Sequence, residues 1–200
     1  MTRQDRTVQA RQIVLALGSN LGDRLATLQA GINELTQAPG IALRAVSAVF
    51  ETRPVGGPDQ PDYLNAILLA TSTLPCQEVL RFTQAAEHAQ GRVRTVRWGP
   101  RTLDIDIIVC GDEVSADPVL TLPHPRAHER AFVLLPWHDV DPAAILPGSA
   151  PVADLVTGLP PETTGTVRRR GDLRLTVRPE ASSRPGGPGA SSRPEGPTRA

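Results

Sequence analysis

The order in which apolar periodicity changes along the chain constrains the fold most. Ile13-Val14-Leu15-Ala16-Leu17 is a short apolar run ended by Gly18-Ser19-Asn20, which predicts a buried strand. Leu25, Leu28, Ile32 and Leu35 then lie three or four apart, one face of a helix that stops near Ala38-Pro39-Gly40. Residues 41–52 alternate loosely and predict a second strand, and Tyr63 to Thr71 a third. Pro75 opens a second helix that holds Val79, Leu80, Thr83 and Glu87 and ends at Gly91. From Leu103 to Cys110 the period returns to two, with Leu103, Ile105, Ile107 and Val109 on one face and Asp104, Asp106 and Ile108 on the other. A further helix is expected over His128 to Trp137. Strand, helix, strand, strand, helix, strand is the split βαβ pattern. It predicts an α+β, ferredoxin-like antiparallel sheet with helices packed on one face.

The ends differ in composition. Residues 1–11 are polar and predict a flexible N-terminal arm before a domain over 12–160. From 161 to 200 large apolar residues are scarce, and Ser182-Ser183-Arg184-Pro185 recurs as Ser191-Ser192-Arg193-Pro194. Such a segment buries too little surface to offset its ordering entropy, so a mostly disordered Pro/Gly/Ser/Arg-rich tail is expected, above all over 179–200. The N-terminus has no apolar stretch of signal-peptide type, and no run approaches the roughly 18 apolar residues of a membrane span, so a soluble, cytoplasmic protein is expected. Cys76 and Cys110 fit no metal spacing and are expected to be buried thiols.

Net charge is zero, which argues against broad attraction to nucleic acid or membrane. Every one of the 21 basic residues is Arg, so no P-loop lysine is possible, and any phosphate must be met by guanidinium groups. The arginines are concentrated where this matters. Arg92, Arg94, Arg97 and Arg101, with Trp98-Gly99-Pro100 among them, lead directly into Asp104-Ile105-Asp106. Two carboxylates at i and i+2 of a strand share a face about 7 Å apart and repel unless a cation lies between them. Magnesium accepts one or two carboxylates together with waters and substrate phosphates. By itself such a pair also suits a wet, solvent-facing strand; the adjoining arginines make it resemble a combined metal and polyanion site.

Two further groups add chemistry. Tyr63 and Asn65 share a strand face, where an aromatic ring can stack on a flat heterocycle and an amide can bond its edge; a core Tyr with a satisfied hydroxyl is the simpler alternative. In Pro123-His124-Pro125-Arg126-Ala127-His128-Glu129-Arg130, Pro125 opposes a helix through both His, and nothing completes a zinc site, so contacts of His124 and Arg130 with phosphate are favoured.

Five blocks in order across residues 12–150 resemble the 6-hydroxymethyl-7,8-dihydropterin pyrophosphokinase family. They are Leu17–Asp23, Asp59–Ala66, Gly91–Arg94, Arg97–Asp106 and Pro123–Arg126. The resemblance implies a ferredoxin-like α+β fold and transfer of pyrophosphate from ATP to the pterin hydroxymethyl, with release of AMP, in folate biosynthesis. It implies that Asp104 and Asp106 hold two Mg2+ ions with ATP. Arg92 and Arg101 would join them as catalytic groups, and Gln84, Glu87, Arg94, Trp98, Thr121, His124 and Arg130 would contact ATP. Thr52, Pro54, Val55, Tyr63, Asn65 and Phe132 would form the pterin pocket. Loops 53–61 and 92–101 are expected to close over the substrates. A monomer is expected, with no nucleic-acid or membrane partner. Arg53 stands where some members carry Pro, and the stretch from Arg94 to Trp98 is a residue shorter than in some.

Two other readings of the same residues are a ferredoxin-like RNA-binding module without catalysis and a metal-dependent nuclease. Only 3% of residues are aromatic, too few for a base-stacking platform, and two acids beside the arginines would repel a polyanion that lacks metal.

Overall fold

The computed structural model describes residues 9–54, 59–91 and 99–177. Strand β1 (Arg11–Ser19) runs into a turn that ends at Asp23, whose carboxylate accepts from the Ala26 N–H and caps helix α1 (Arg24–Thr36). Leu28, Ile32 and Leu35 bury the apolar face of α1, as their spacing predicts.

The strand expected over 41–52 is two strands, β2 (Ile41–Val46) and β3 (Val49–Thr52). The break falls at Ser47. Its N–H donates to Ile67 O, its Oγ accepts from the Ile67 N–H, and the next N–H, of Ala48, goes to Asp139 Oδ2. Both pieces pair with β4 (Tyr63–Ser72). β4 is central and almost wholly buried, which explains its continuous apolar run. Helix α2 (Cys76–Ala89) leads back to β5 (Asp104–Cys110), which pairs with the far side of β1.

A hairpin of β6 (Ser115–Asp117) and β7 (Leu120–Leu122) follows, then a single 3-10 turn at Ala127–Glu129 and helix α3 (Ala131–Val140). The helix expected from His128 is therefore interrupted at Arg130, whose extended backbone (φ −102°, ψ 104°) starts α3 afresh. Helices α4 (Val152–Gly158) and α5 (Pro161–Thr164) and strand β8 (Val167–Arg170) are the last elements among the described residues. The main sheet runs β5-β1-β4-β3-β8 with β2 also on β4, and every pairing is antiparallel. This is the α+β antiparallel architecture expected.

Helices α1 and α2 cover one face, over Ile13, Leu15, Leu17, Leu103, Ile105 and Ile107. The expectation of helices on one face is incomplete. Helices α3 and α4 form a second core with Val14, Ile67, Ile108 and Val109 on part of the other face. The alternation of β5 also departs from expectation. The register slips between Val14 and Leu15, so Ile108 is an extra residue and Val109 faces the second core instead of joining Ile107. Ahead of that bulge the alternation holds, and Asp104 and Asp106 share a face.

Cys76 and Cys110 are joined by a disulfide rather than carrying free thiols, tying the start of α2 to the end of β5. Their separation of 34 residues hides a Cα–Cα distance of only 6.1 Å, which depends on α2 folding back over β5. Residues 161–177 also differ from the disordered tail expected. β8 pairs with β3, and Leu175 is buried in the core beneath α1 and α2. Three Arg in a row give no apolar signal, but β8 is an edge strand held by its backbone and by ion pairs. The remainder of that expected tail, 178–200, and most of the expected N-terminal arm lie outside the described residues.

Candidate active site

Cross-strand register lays out the site. Directly opposed residues share a face, so Asp104, Gly18, Asn65 and Phe50 form one row across β5, β1, β4 and β3. Asp106, Ala16 and Ile67 form the next row, and Tyr63 with Thr52 another. Helix α3 covers only part of this face, and the uncovered part is the floor of a cavity of about 540 Å³. Gly18 keeps the centre tight: a Cβ there would meet Asn65 Oδ1 at 3.2 Å and press on that amide.

At one side stand the two carboxylates. Arg101 Nη1 bonds Asp104 Oδ2, and Arg130 Nη1 lies 3.4 Å from Asp106 Oδ2. Burial works to lower the Arg101 pKa, but Asp104 chiefly, with Asp106 and Tyr63, raises it above the usual guanidinium value, so Arg101 remains a fixed cation. Its backbone is held as well. The Arg101 N–H donates to Asn20 Oδ1 (2.7 Å), and Asn20 N donates to Arg101 O (3.1 Å). Asn20 Nδ2 donates to Gln60 Oε1 (3.0 Å) and Pro61 O (3.1 Å), so one buried amide joins the loops on both sides of the cavity.

His124 reaches the carboxylate side from the segment after β7, with its N–H on Ile108 O. Its Nδ1 lies 3.2 Å from the Arg126 backbone N, and its Nε2 lies 3.4 Å from Arg130 Nη1 and 3.8 Å from Asp106 Oδ2. Burial first, then Arg130, depress its pKa from 6.5 to about 4. The folded protein thus favours neutral His124, whereas the unfolded chain takes up a proton below pH 6.5. Stability is therefore expected to fall as pH drops from about 6.5 toward 4, by up to about 3 kcal/mol from this residue alone. Denaturant titrations in EDTA should show that part of the loss disappearing in His124→Asn; equal pH profiles for the two proteins would contradict it.

At the other side Asn65, only 5% exposed, donates through Nδ2 to Thr52 Oγ1 (2.7 Å), and the Tyr63 hydroxyl donates to Gln60 Oε1 (3.2 Å). Phe132 lines the opposite wall with the Arg130 guanidinium 5.5 Å from its ring centroid.

The cavity thus gathers Arg101, Asp104, Asp106, Arg130, Thr52, Pro54, Tyr63, Asn65 and Phe132 from the expected site. Arg92, Arg94, Trp98 and Val55, and most of the two loops expected to close, lie outside the described residues. Gln84, Glu87, Thr121 and His124 do not line it. Gln84 is exposed on α2, and Thr121 donates to Asp117 O within the hairpin. Glu87, 5% exposed, accepts from the Ile105 N–H at 2.8 Å, so it caps β5 between the two Asp. Sequence reasoning missed the tethering role of Asn20, and it missed Thr163, Thr166 and Val167, which also line the cavity. Asn20 had a signal, since a polar residue directly after an apolar strand must find partners once buried.

The donor set suits magnesium. Asp104 and Asp106 are hard oxygen ligands on one face, Asp106 is 40% exposed, and no thiolate is at hand. Among the described residues no three His, Cys, Asp or Glu cluster into an all-protein cage.

The chain is similar to known proteins along most of its length. A family model described as 7,8-dihydro-6-hydroxymethylpterin-pyrophosphokinase matches residues 14–142. The 2-amino-4-hydroxy-6-hydroxymethyldihydropteridine pyrophosphokinase of Mycobacterium tuberculosis (strain ATCC 25618 / H37Rv) is 45% identical over 170 residues, 78% of this chain and 88% of its own. The enzyme of the same name from Haemophilus influenzae is 38% identical over 142 residues, 71% of this chain and 89% of its own. Among solved structures, a Plasmodium falciparum HPPK-DHPS triple mutant with pteroate shares the fold at a TM-score of 0.59 and 13% identity, covering 80% of this chain and 47% of that longer one. The chain belongs to the 7,8-dihydro-6-hydroxymethylpterin pyrophosphokinase family.

Proposed function

We infer that this protein transfers the pyrophosphoryl group of ATP to the hydroxymethyl oxygen of 6-hydroxymethyl-7,8-dihydropterin in folate biosynthesis. The observation that carries the reading is one sheet face with two Arg-paired carboxylates at one side of a cavity and a buried Asn-Thr pair beside a Tyr at the other.

The pterin ring enters beside Tyr63 and Phe132, with its polar edge on the Asn65 amide. The ATP phosphates lie over β5 and β1, where Arg101 and Arg130 meet them with fixed positive charge. Asp104 and Asp106 would hold two magnesium ions, which would neutralise phosphate charge during the in-line displacement. The pterin hydroxyl oxygen attacks the β-phosphorus and its proton passes to water, the bond from that phosphorus to the oxygen that bridges it to the α-phosphorus breaks, and AMP leaves with that oxygen. No side chain forms a covalent intermediate, because in phosphoryl transfer positioning and charge stabilisation do most of the work. Asn20 holds both bordering loops in register with the floor.

Phosphorus NMR of the reaction tests the site of attack. A pterin product with two coupled phosphorus resonances is expected. A product with a single uncoupled resonance would place the attack on the γ-phosphorus and contradict the reading.

A further inference from the structure

We propose that the segment carrying α5 and β8 is a specificity wall at the acceptor end of the cavity, and that Val167 sets how deeply the heterocycle enters. This rests on the pterin reading above. Val167 is the register partner of Thr52, and Thr52 of Tyr63, so these three side chains make one row across β8, β3 and β4 on the cavity face. Thr163 and Thr166 stand beside that row and also line the cavity. Their loop is closed by the Thr166 hydroxyl on Thr163 O (2.8 Å) and fastened to the neighbouring loop by the Arg53 N–H on Thr166 O (3.4 Å).

The wall is built into the molecule from both faces of the sheet. On the cavity face, Arg169 Nε holds Asp139 Oδ1 of α3 at 3.1 Å. On the opposite face, Arg168 and Arg170 hold Glu51 at 2.5 and 2.9 Å, and Arg24 of α1 joins it at 3.1 Å. Arg168, then burial, then Arg170 act on the Glu51 pKa, with the net effect of lowering it. Beyond β8, Gln29 of α1 accepts from the Thr176 N–H (2.9 Å) and donates to Thr176 O (3.0 Å).

Four strand spacings separate β8 from β5, about 19 Å, so this wall closes the end of the floor remote from the carboxylates. Its lining residues Thr163, Thr166 and Val167 are β-branched and uncharged, which suits the edge of a neutral flat ring and not a phosphate chain. A wall at that end fixes how far the ring slides along the floor, and hence where its hydroxymethyl meets the β-phosphorus. Val167 is thus a specificity-determining residue for the acceptor and not for the nucleotide.

The test is the steady-state kinetics of Val167→Phe, which adds bulk on the cavity face with a residue that strands favour. The pterin KM is expected to rise at least about tenfold, while the ATP KM stays within about twofold. Val167→Ala, which cannot overpack the strand, should raise the pterin KM about fivefold through lost contact. Arg168→Ala, on the opposite face, should lower the melting temperature without moving the pterin KM. Wild-type turnover with an unchanged pterin KM in the Val167 variants would overturn the inference alone, as would an equal rise in both KM values. A wild-type protein that makes no AMP from ATP and the pterin would overturn the function reading and this inference together.

Discussion

Asp106→Ala is expected to lower kcat for AMP formation by about 10³-fold, with the fold retained. Asp106 lies on edge strand β5 opposite Ala16 and is 40% exposed, so truncation opens no buried void. What is lost is a charge. The remaining carboxylate cannot hold two cations, and Arg130 is left facing the phosphates without its counter-charge. Asp104→Asn should act similarly, and Asn is the better probe there because it leaves a bonding partner for Arg101. A melting temperature close to that of the wild type distinguishes this from a packing defect, and turnover across a magnesium titration should stay slow throughout. The RNA-binding reading predicts the opposite sign, tighter binding once negative charge is removed. Variants with wild-type kcat would remove the carboxylates from the mechanism.

The legible part of this molecule was the part whose periodicity is local. The apolar runs of β1, β4 and β5 and the spacing in α1 follow from burial on known faces, and they place Asp104, Asp106, Tyr63 and Asn65 on one surface. What was not legible depends on long-range partners. The bulge at Ile108 arises from how β5 meets β1, and no residue in Asp104–Cys110 announces it. The Cys76–Cys110 disulfide depends on α2 folding back over β5. β8 reads as a solvated Arg run because its partners, Glu51 and Asp139, lie 117 and 30 residues away from Arg168 and Arg169. Glu87 sits inside an apolar helix face, and only the edge of β5 explains why a buried carboxylate stands there.

Arg101→Ala carries the second large effect, a fall in kcat of about 10²- to 10³-fold with little change in pterin KM. The Arg101 backbone is secured by Asn20 on both N–H and C=O, so losing the side chain should leave the loop in place. The guanidinium is partly buried and kept charged by Asp104, which makes it a preorganised donor for charge that develops on the transferring group. Arg101→Lys should recover only part of the loss, because an ammonium cannot form the two parallel bonds of the planar group. Stopped-time assays at saturating pterin measure this directly. A rise in pterin KM with unchanged kcat would instead make Arg101 a ground-state binding group.

The central claim is tested most directly by identifying the adenine nucleotide that accumulates when the purified protein is mixed with magnesium, ATP and 6-hydroxymethyl-7,8-dihydropterin. The predicted result is AMP, formed in step with pterin consumption and absent when the pterin is omitted. ADP in place of AMP, or no nucleotide product from folded protein, would contradict it.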